Sequence, residues 1–593
     1  MKSRAIRIVL LIVVLLIANH TGAGLGALAS GLPSQPSAPD GMQILVNTTT
    51  DELNADGDCS LREAIRASNL DQAVDACTAG NGADTIVLQN GVTYTLTRVG
   101  ADDTAINGDL DITSAVTIVG SNAIIDANGA TTLDRVIQVF GGQLVKISNV
   151  TLRNGRTTSF GGGIRNAGNL TLITVTLSSN QSTTNAGGGI ANEANSLTLI
   201  GTTISNNTAF TLGGGIALLA GTLVAINLSL NNNTATNDRG GGMWVGTTAT
   251  ATLIHSTVSS NDAGTNGGGI YNENNLTLVG STVHTNQAGV PGGGTSEAGG
   301  GIYNQDSLTI KHSTIRNNAA DDGAGLSNNG GSLTIFNSTI NNNAAISAGG
   351  IRNQSAGVAT LVNSTVSSNT ASAGAGGIAN SATLQLSNVT IAFNTADSDA
   401  NNFGDGGGLA NGGTATVRNS LIGENIDAST SGTIFPDCSG GFNSDGYNLI
   451  ENTTGCTIGG NTTGNVTGID PNLAALDGNG GRTQTNAFPT GSPPHNAGNP
   501  AGCLDNNSSA ILADQRDGAR LTRCDQGSFE FAACLLIGDV DDDGDVDNND
   551  LALVGGAWTN RLAYDAVLDL VVDGFIFAND LQAVASRFGL VCS

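Results

Sequence analysis

Charge is what this sequence has least of. Only 12% of its 593 residues are Asp, Glu, Lys or Arg, against roughly 25% in ordinary soluble proteins. Proline is scarce, at 10 residues, and the 84 glycines follow no period of three, which excludes a collagen helix. Apolar residues nevertheless make up 39% of the chain, too many for a disordered polymer. Something packs, with small polar residues outside.

Long apolar runs are equally rare. One, from Ile8 to Ala18, follows Lys2, Arg4 and Arg7 and precedes Ala27-Leu28-Ala29, the order of a secretory signal with a small-residue cleavage site over residues 1–29. It is short for a membrane span, and no later segment is long and apolar enough to be one. Export is the expectation. Removing the signal leaves 19 basic against 49 acidic side chains, a net charge of −30, with Lys146 and Lys311 the only lysines of the mature chain. Such a balance argues against nucleic acid or an anionic bilayer as partner, since both require a basic footprint.

Cysteine is absent from the centre. Cys59 and Cys77 lie near the start; Cys438, Cys456, Cys503, Cys524, Cys534 and Cys592 lie late. An even number in an exported chain suggests disulfides, and sequence neighbours could pair as 59–77, 438–456, 503–524 and 534–592, although eight cysteines allow 105 connectivities.

What fills the centre is a repeat. An apolar residue follows each glycine cluster at Ile164, Ile190, Ile216, Met243, Ile270, Ile302, Leu326, Ile351, Ile378 and Leu409, in steps of 26, 26, 27, 27, 32, 24, 25, 27 and 31 residues. Periods of this length mean a solenoid, array or propeller. Within a unit, Gly269-Ile270-Tyr271, Leu276-Thr277-Leu278 and Ser281-Thr282-Val283 alternate apolar with polar residues, which is strand spacing. Three strands per coil, stacked in parallel, predict an all-β parallel β-helix. Stacking puts equivalent residues about 4.8 Å apart, so a repeated charge would repel itself while Asn, Ser and Thr hydrogen-bond from coil to coil. Asn149, Asn227, Asn337, Asn363, Asn388 and Asn419, before the last of the three strands, read as an Asn ladder. His255 and His312 hold the same position two coils apart, too far to share a metal ion.

These units resemble the right-handed β-helix repeats of the pectate-lyase-like superfamily, and their Gly-Gly-Ile and Asn-x-Ala elements resemble polymorphic outer-membrane adhesins. Cys59-Ser60-Leu61-Arg62-Glu63-Ala64 is similar to the CSLREA motif of bacterial secreted β-helix proteins. "YNLIENTTGC", "DGNGGRTQT", "GSPPHNAGN" and "CDQGSFEF", within residues 447–531, resemble a choice-of-anchor region, with His495-Asn496 departing from its pattern. The resemblances imply a right-handed β-helix and export, and no particular reaction.

Glycoside hydrolysis needs two carboxylates at a defined separation. Glu297 and Asp321 each stand five residues before a repeat position, Ile302 and Leu326, so adjacent coils bring them to one strand spacing, with Asp322 alongside. The step of 32 places an insertion here, and long solenoid loops often carry function. Solvated turn acids are the plainer reading of the same residues.

The sharpest motif is "GDVDDDGDVDNNDL". Asp539, Asp541 and Asp543 occupy positions 1, 3 and 5 of a twelve-residue loop, Gly544 position 6, Asp545 position 7, Asp547 position 9 and Asp550 position 12, the oxygen-ligand spacing of a Ca²⁺ loop. A second copy starts at Asp569, with Asp573, Gly574 and Asp580 in place, although Val571 and Phe577 replace ligands at positions 3 and 9. Paired loops, each leading into a helix, resemble a dockerin domain, which implies Ca²⁺ and a cohesin-like partner.

The organisation expected is therefore a signal peptide over 1–29, a linker over 30–41, an N-terminal cap with first coils over 42–155, and the repeat β-helix over 156–425. An anchor-type end follows over 426–533, then a small α-helical dockerin-like domain over 534–593. The expected role is a secreted or cell-surface protein, adhesin-like or glycan-binding; the alternative is a polysaccharide lyase or glycoside hydrolase delivered to a scaffold.

Overall fold

A computed structural model describes residues 40–289, 297–521 and 523–531. The signal peptide and all the dockerin-like ligands, Asp539 to Asp580, lie outside these residues. Within them, a 39-stranded and an 11-stranded sheet, paired in parallel, wind as one solenoid. Among the described residues no helix is long and apolar enough to cross a membrane.

The repeat positions stack in register. Ile164 pairs Ile190, which pairs Ile216, and the column continues through Met243, Ile270, Ile302, Leu326, Ile351, Ile378 and Leu409 to Cys438. From Ile164 to Leu409 every one of these side chains is fully buried, and each contributes about 1.5–3 kcal/mol relative to exposure. A step of 32 residues and one of 24 both preserve register, because length differences are taken up between strands.

Each coil has one strand more than expected. After Ile270–Asn272, Asn275–Val279 and Thr282–His284 comes the two-residue strand Gln287–Ala288, and its equivalents form the 11-stranded sheet. Two residues are too few for alternation to show, so the period-two signal missed it. The glycine triplet that follows has a steric cause. Gly267 sits at φ +69°, and a Cβ on Gly268 or Gly269 would approach the carbonyl oxygen of Gly300 or Gly301 in the next coil to 2.5 or 2.6 Å. Close coil-to-coil contact leaves room only for hydrogen.

The asparagine ladder exists, in a different column. Asn180, Asn207, Asn233, Asn261, Asn286, Asn318, Asn343, Asn369, Asn394 and Asn425 are buried. Each amide donates to the Oδ1 of the next at 2.9–3.0 Å. The column expected to be the ladder is instead a left-handed turn: Asn149, Asn227, Asn337, Asn363, Asn388 and Asn419 have φ of 54°, 53°, 47°, 50°, 55° and 45°. His255 and His312, both at φ 47°, share it. Asn is favoured there chiefly because its short polar side chain tolerates the left-handed region. Asn388 and Asn419 do join amide to amide, whereas Asn337 and Asn363 turn to the C-terminal segment.

Both ends are stapled. Cys59–Cys77, Cys438–Cys456 and Cys503–Cys524 are disulfides, three of the four neighbour pairs; the fourth lies outside the described residues. The CSLREA letters each have a task. Cys59 is bridged, and Ser60 caps the helix Leu61–Leu70 in a reciprocal capping box with Glu63. Leu61 and Ala64 enter the core. Arg62, wholly buried, pairs with Asp51 at 2.5 Å and donates to the carbonyls of Gly108 and Asp109.

Candidate ligand cleft at the edge of a C-terminal strap

The third strand of each coil carries an outward column of threonines, Thr257, Thr282, Thr314, Thr339, Thr365 and Thr390, in parallel register. A strand in the middle of a parallel wall would ordinarily offer this column to solvent along its whole length. Here the segment after Thr467 folds back and covers part of it. Thr339 donates to Gln484 O at 2.6 Å, Thr365 to Gln515 Oε1 at 2.6 Å, and Thr390 accepts from the Ser528 N–H at 3.0 Å. Asn363 and Arg418 fasten the strap through Ala513 O and Asp505 O, each at 2.7 Å. The Cys503–Cys524 bridge ties the strap to itself.

The strap stops short of Thr314. At its edge, Gly478, Gly481, Arg482 and Gln484 face Thr282, Thr314, Arg316 and Asn341 across a cleft of about 420 Å³. Arg316 stands in register with His284 and Asn341. Burial, then the Arg316 charge, lowers the pKa of His284. Arg482 lies 3.9 Å from Asp517, which in turn accepts from the Asn337 amide at 2.9 Å and lies 3.6 Å from His312 Nδ1. Among the described residues no carboxylate pairs with Arg316. Two guanidinium groups, hydroxyls and amides around an open cleft suit an anionic, hydroxyl-rich ligand.

The acids picked from the sequence lie elsewhere. Ala298 bridges Asp322 in parallel, which sets Glu297 beside Asp321 in the next coil, and the amides of Asp321 and Asp322 donate to Glu297 O at 3.0 and 3.1 Å. The expected one-strand spacing is present in the backbone. Glu297 and Asp321 are only 7% and 8% exposed, so they are neither open to a polysaccharide nor solvated turn acids. Asp322 lies 3.5 Å from Arg352, and burial raises its pKa against that opposing charge. The cleft was invisible to sequence reasoning because Arg316 and Arg482 belong to segments that meet only when the strap folds back.

Several buried or half-buried acids hold their protons unusually well. Burial pushes Asp111, Asp437 and Glu530 up to about 7 and Asp517 to about 6. Unfolded, these groups titrate near pH 4. The folded chain therefore binds more protons between about pH 4 and 7, and their contribution to stability falls as pH rises through that window. His312, lowered to about 4 by burial and by Arg482 and Lys311, and His284, lowered by burial and by Arg316, oppose this below about pH 6.5, as two groups against four. In metal-free buffer the thermal midpoint is expected to be higher near pH 5.5 than near pH 8; a higher midpoint at the alkaline end would contradict the assignment.

The strand register defines a class, the parallel β-helix. Residues 224–366 match the family described as right handed beta helix region. Among solved structures, a pectate lyase, Pel9A, aligns over 82% of this chain and 96% of its own at 14% identity, with a TM-score of 0.31. No curated protein matches the sequence.

Proposed function

We propose that this is an exported binding protein whose β-helix holds an acidic glycan at the strap-edge cleft, displayed at the cell surface through a Ca²⁺-dependent dockerin-like tether. The observation that carries the reading is the approach of Arg316 and Arg482 to one open cleft in a chain of net charge −27. Where basic groups are so few, two at one hydroxyl-lined cleft provide local attraction for a carboxylate or sulfate that the rest of the surface repels. The export signal and the oxygen-ligand spacing of Asp539 to Asp550 support the tether, and a cohesin-like module would be its partner.

A second reading follows from the same arginine. An arginine that gives its proton to solvent and stands as the neutral guanidine beside a bound uronate could take the proton in β-elimination, which would make the protein a polysaccharide lyase. Both readings meet one experiment: the mature chain is incubated with acidic and neutral polysaccharides while binding and unsaturated products are measured. Binding of acidic glycans alone, weakened at least about tenfold by Arg316→Ala, is the expected result. Unsaturated products would make it a lyase, and hydrolysis lost on Glu297→Gln would give the chemistry to the buried pair. Retained binding in Arg316→Ala would remove the cleft from the reading.

A further inference from the structure

Arg482 enters the cleft with an anion already beside it. Its Nε lies 3.9 Å from Asp517 Oδ2, near enough for attraction and too far for a hydrogen bond, and among the described residues its guanidinium donates no hydrogen bond. The donors that a ligand would use are uncommitted. Arg482 lines the cleft and Asp517 does not, so the carboxylate acts on a ligand through the arginine and through its own charge.

Other groups hold Asp517 in place. The Asn337 amide donates to its Oδ1 at 2.9 Å, and its own N–H donates to Asp514 O at 3.1 Å, in a left-handed turn with φ 67°. Its charged neighbours are few. The strap presents Arg482 and Asp514, the latter already paired with Arg516 at 2.7 Å. The β-helix presents His312, with Nδ1 3.6 Å from Asp517 Oδ2, and Lys311 beside that imidazole. Burial pushes the Asp517 carboxyl up to about 6 against the opposing Arg482 charge, whereas burial, Arg482 and Lys311 hold His312 down to about 4. Near pH 6, therefore, Asp517 changes charge while His312 stays neutral.

We infer that Asp517, given an acidic glycan at the cleft proposed above, is an internal competitor for Arg482 that makes the cleft take this ligand more tightly in acid than at neutral pH. Ionised, the carboxylate both draws Arg482 toward itself and repels an incoming anion. Protonated, it does neither. A uronate, with a pKa near that of other carboxyls next to electron-withdrawing groups, about 3.5, keeps its charge through the same range, so binding takes up a proton at Asp517 and strengthens as pH falls through about 6. The 3.9 Å separation distinguishes this role from positioning: a carboxylate that oriented the guanidinium for a ligand would hold it by hydrogen bonds.

The test titrates the full mature chain with an oligogalacturonate of defined length in a calorimeter, at about pH 5 and about pH 7.5 and one ionic strength, in buffers of different ionisation heat. The parent is expected to bind about threefold tighter in acid and to take up protons near pH 6, a readout that needs no variant. Asp517→Asn keeps an acceptor for Asn337 and tolerates the left-handed turn. It should bind at neutral pH as tightly as the parent binds in acid, with the proton uptake lost. Weaker binding by Asp517→Asn at both pH values would make Asp517 a positioning residue and overturn the inference. A pH slope that survives Asp517→Asn would belong to His284, which stands in register with Arg316, and would overturn it equally. Binding that Arg316→Ala weakens, but that ignores pH and Asp517→Asn, overturns the competitor and leaves the cleft as the glycan site; no binding by the parent at either pH overturns both.

Discussion

Arg62→Ala is expected to destabilise the N-terminal cap by about 3–5 kcal/mol, the usual cost of removing one member of a buried ion pair. Arg62 is 0% exposed and its guanidinium makes contacts that no other residue can replace: Asp51 through Nε at 2.5 Å and Nη2 at 3.3 Å, Gly108 O at 2.8 Å and Asp109 O at 3.1 Å. Without it, Asp51 keeps a charge in a site it shares with the Thr97 and Arg98 amides, and two carbonyls lose a donor. Lysine would restore the charge and not the planar fork. Hydrogen exchange of the helix Leu61–Leu70 reads the effect locally, which a global melt of a long solenoid would dilute. Exchange faster by about two to four orders of magnitude is expected if opening stays local; unchanged protection would show that the pair is dispensable.

Asn318→Ala is expected to cost about 3 kcal/mol or more, from several groups left unsatisfied at about 1–3 kcal/mol each. Asn318 accepts from both the backbone N–H and the side-chain amide of Asn286 at 3.0 Å, and donates to Val283 O at 3.1 Å and Asn343 Oδ1 at 3.0 Å. Truncation interrupts the ladder in mid-column. Its neighbour Asn317 supplies the control: it is exposed and sits at φ 54°, so Asn317→Gly should change stability by under about 1 kcal/mol. Denaturation of the two variants beside the parent decides the matter, and equal losses would mean that the rungs carry no special weight.

That pair of adjacent asparagines also marks the limit of the sequence. Asn317 and Asn318 are the same residue type in the same turn, yet one is chosen for its backbone and the other for its amide. Strand alternation fixes which apolar residues point inward, since a slip of one residue would turn the whole set out, and it was legible from Ile164 to Leu409. Which polar residue of a turn points inward depends on the left-handed residues that flank the third strand, such as His312 and Asn317, a backbone property that composition does not encode. The same reasoning placed the ladder at Asn149, Asn227 and their equivalents, where the left-handed turn was the true constraint.

By itself the sequence determined the inward column: the glycine triplets, the period and the alternation mark which Ile, Leu and Val are buried, because burial of one face dominates the energetics of a strand. It suggested neighbour pairing of the cysteines among 105 connectivities, and the structure decided it for the three described bridges. Only the tertiary structure decided which part of the threonine face is covered, how exposed Glu297 and Asp321 are, and where Arg316 meets Arg482. Those outcomes depend on a strap that crosses many coils, and contacts between residues so distant in the chain leave no periodic trace in the sequence.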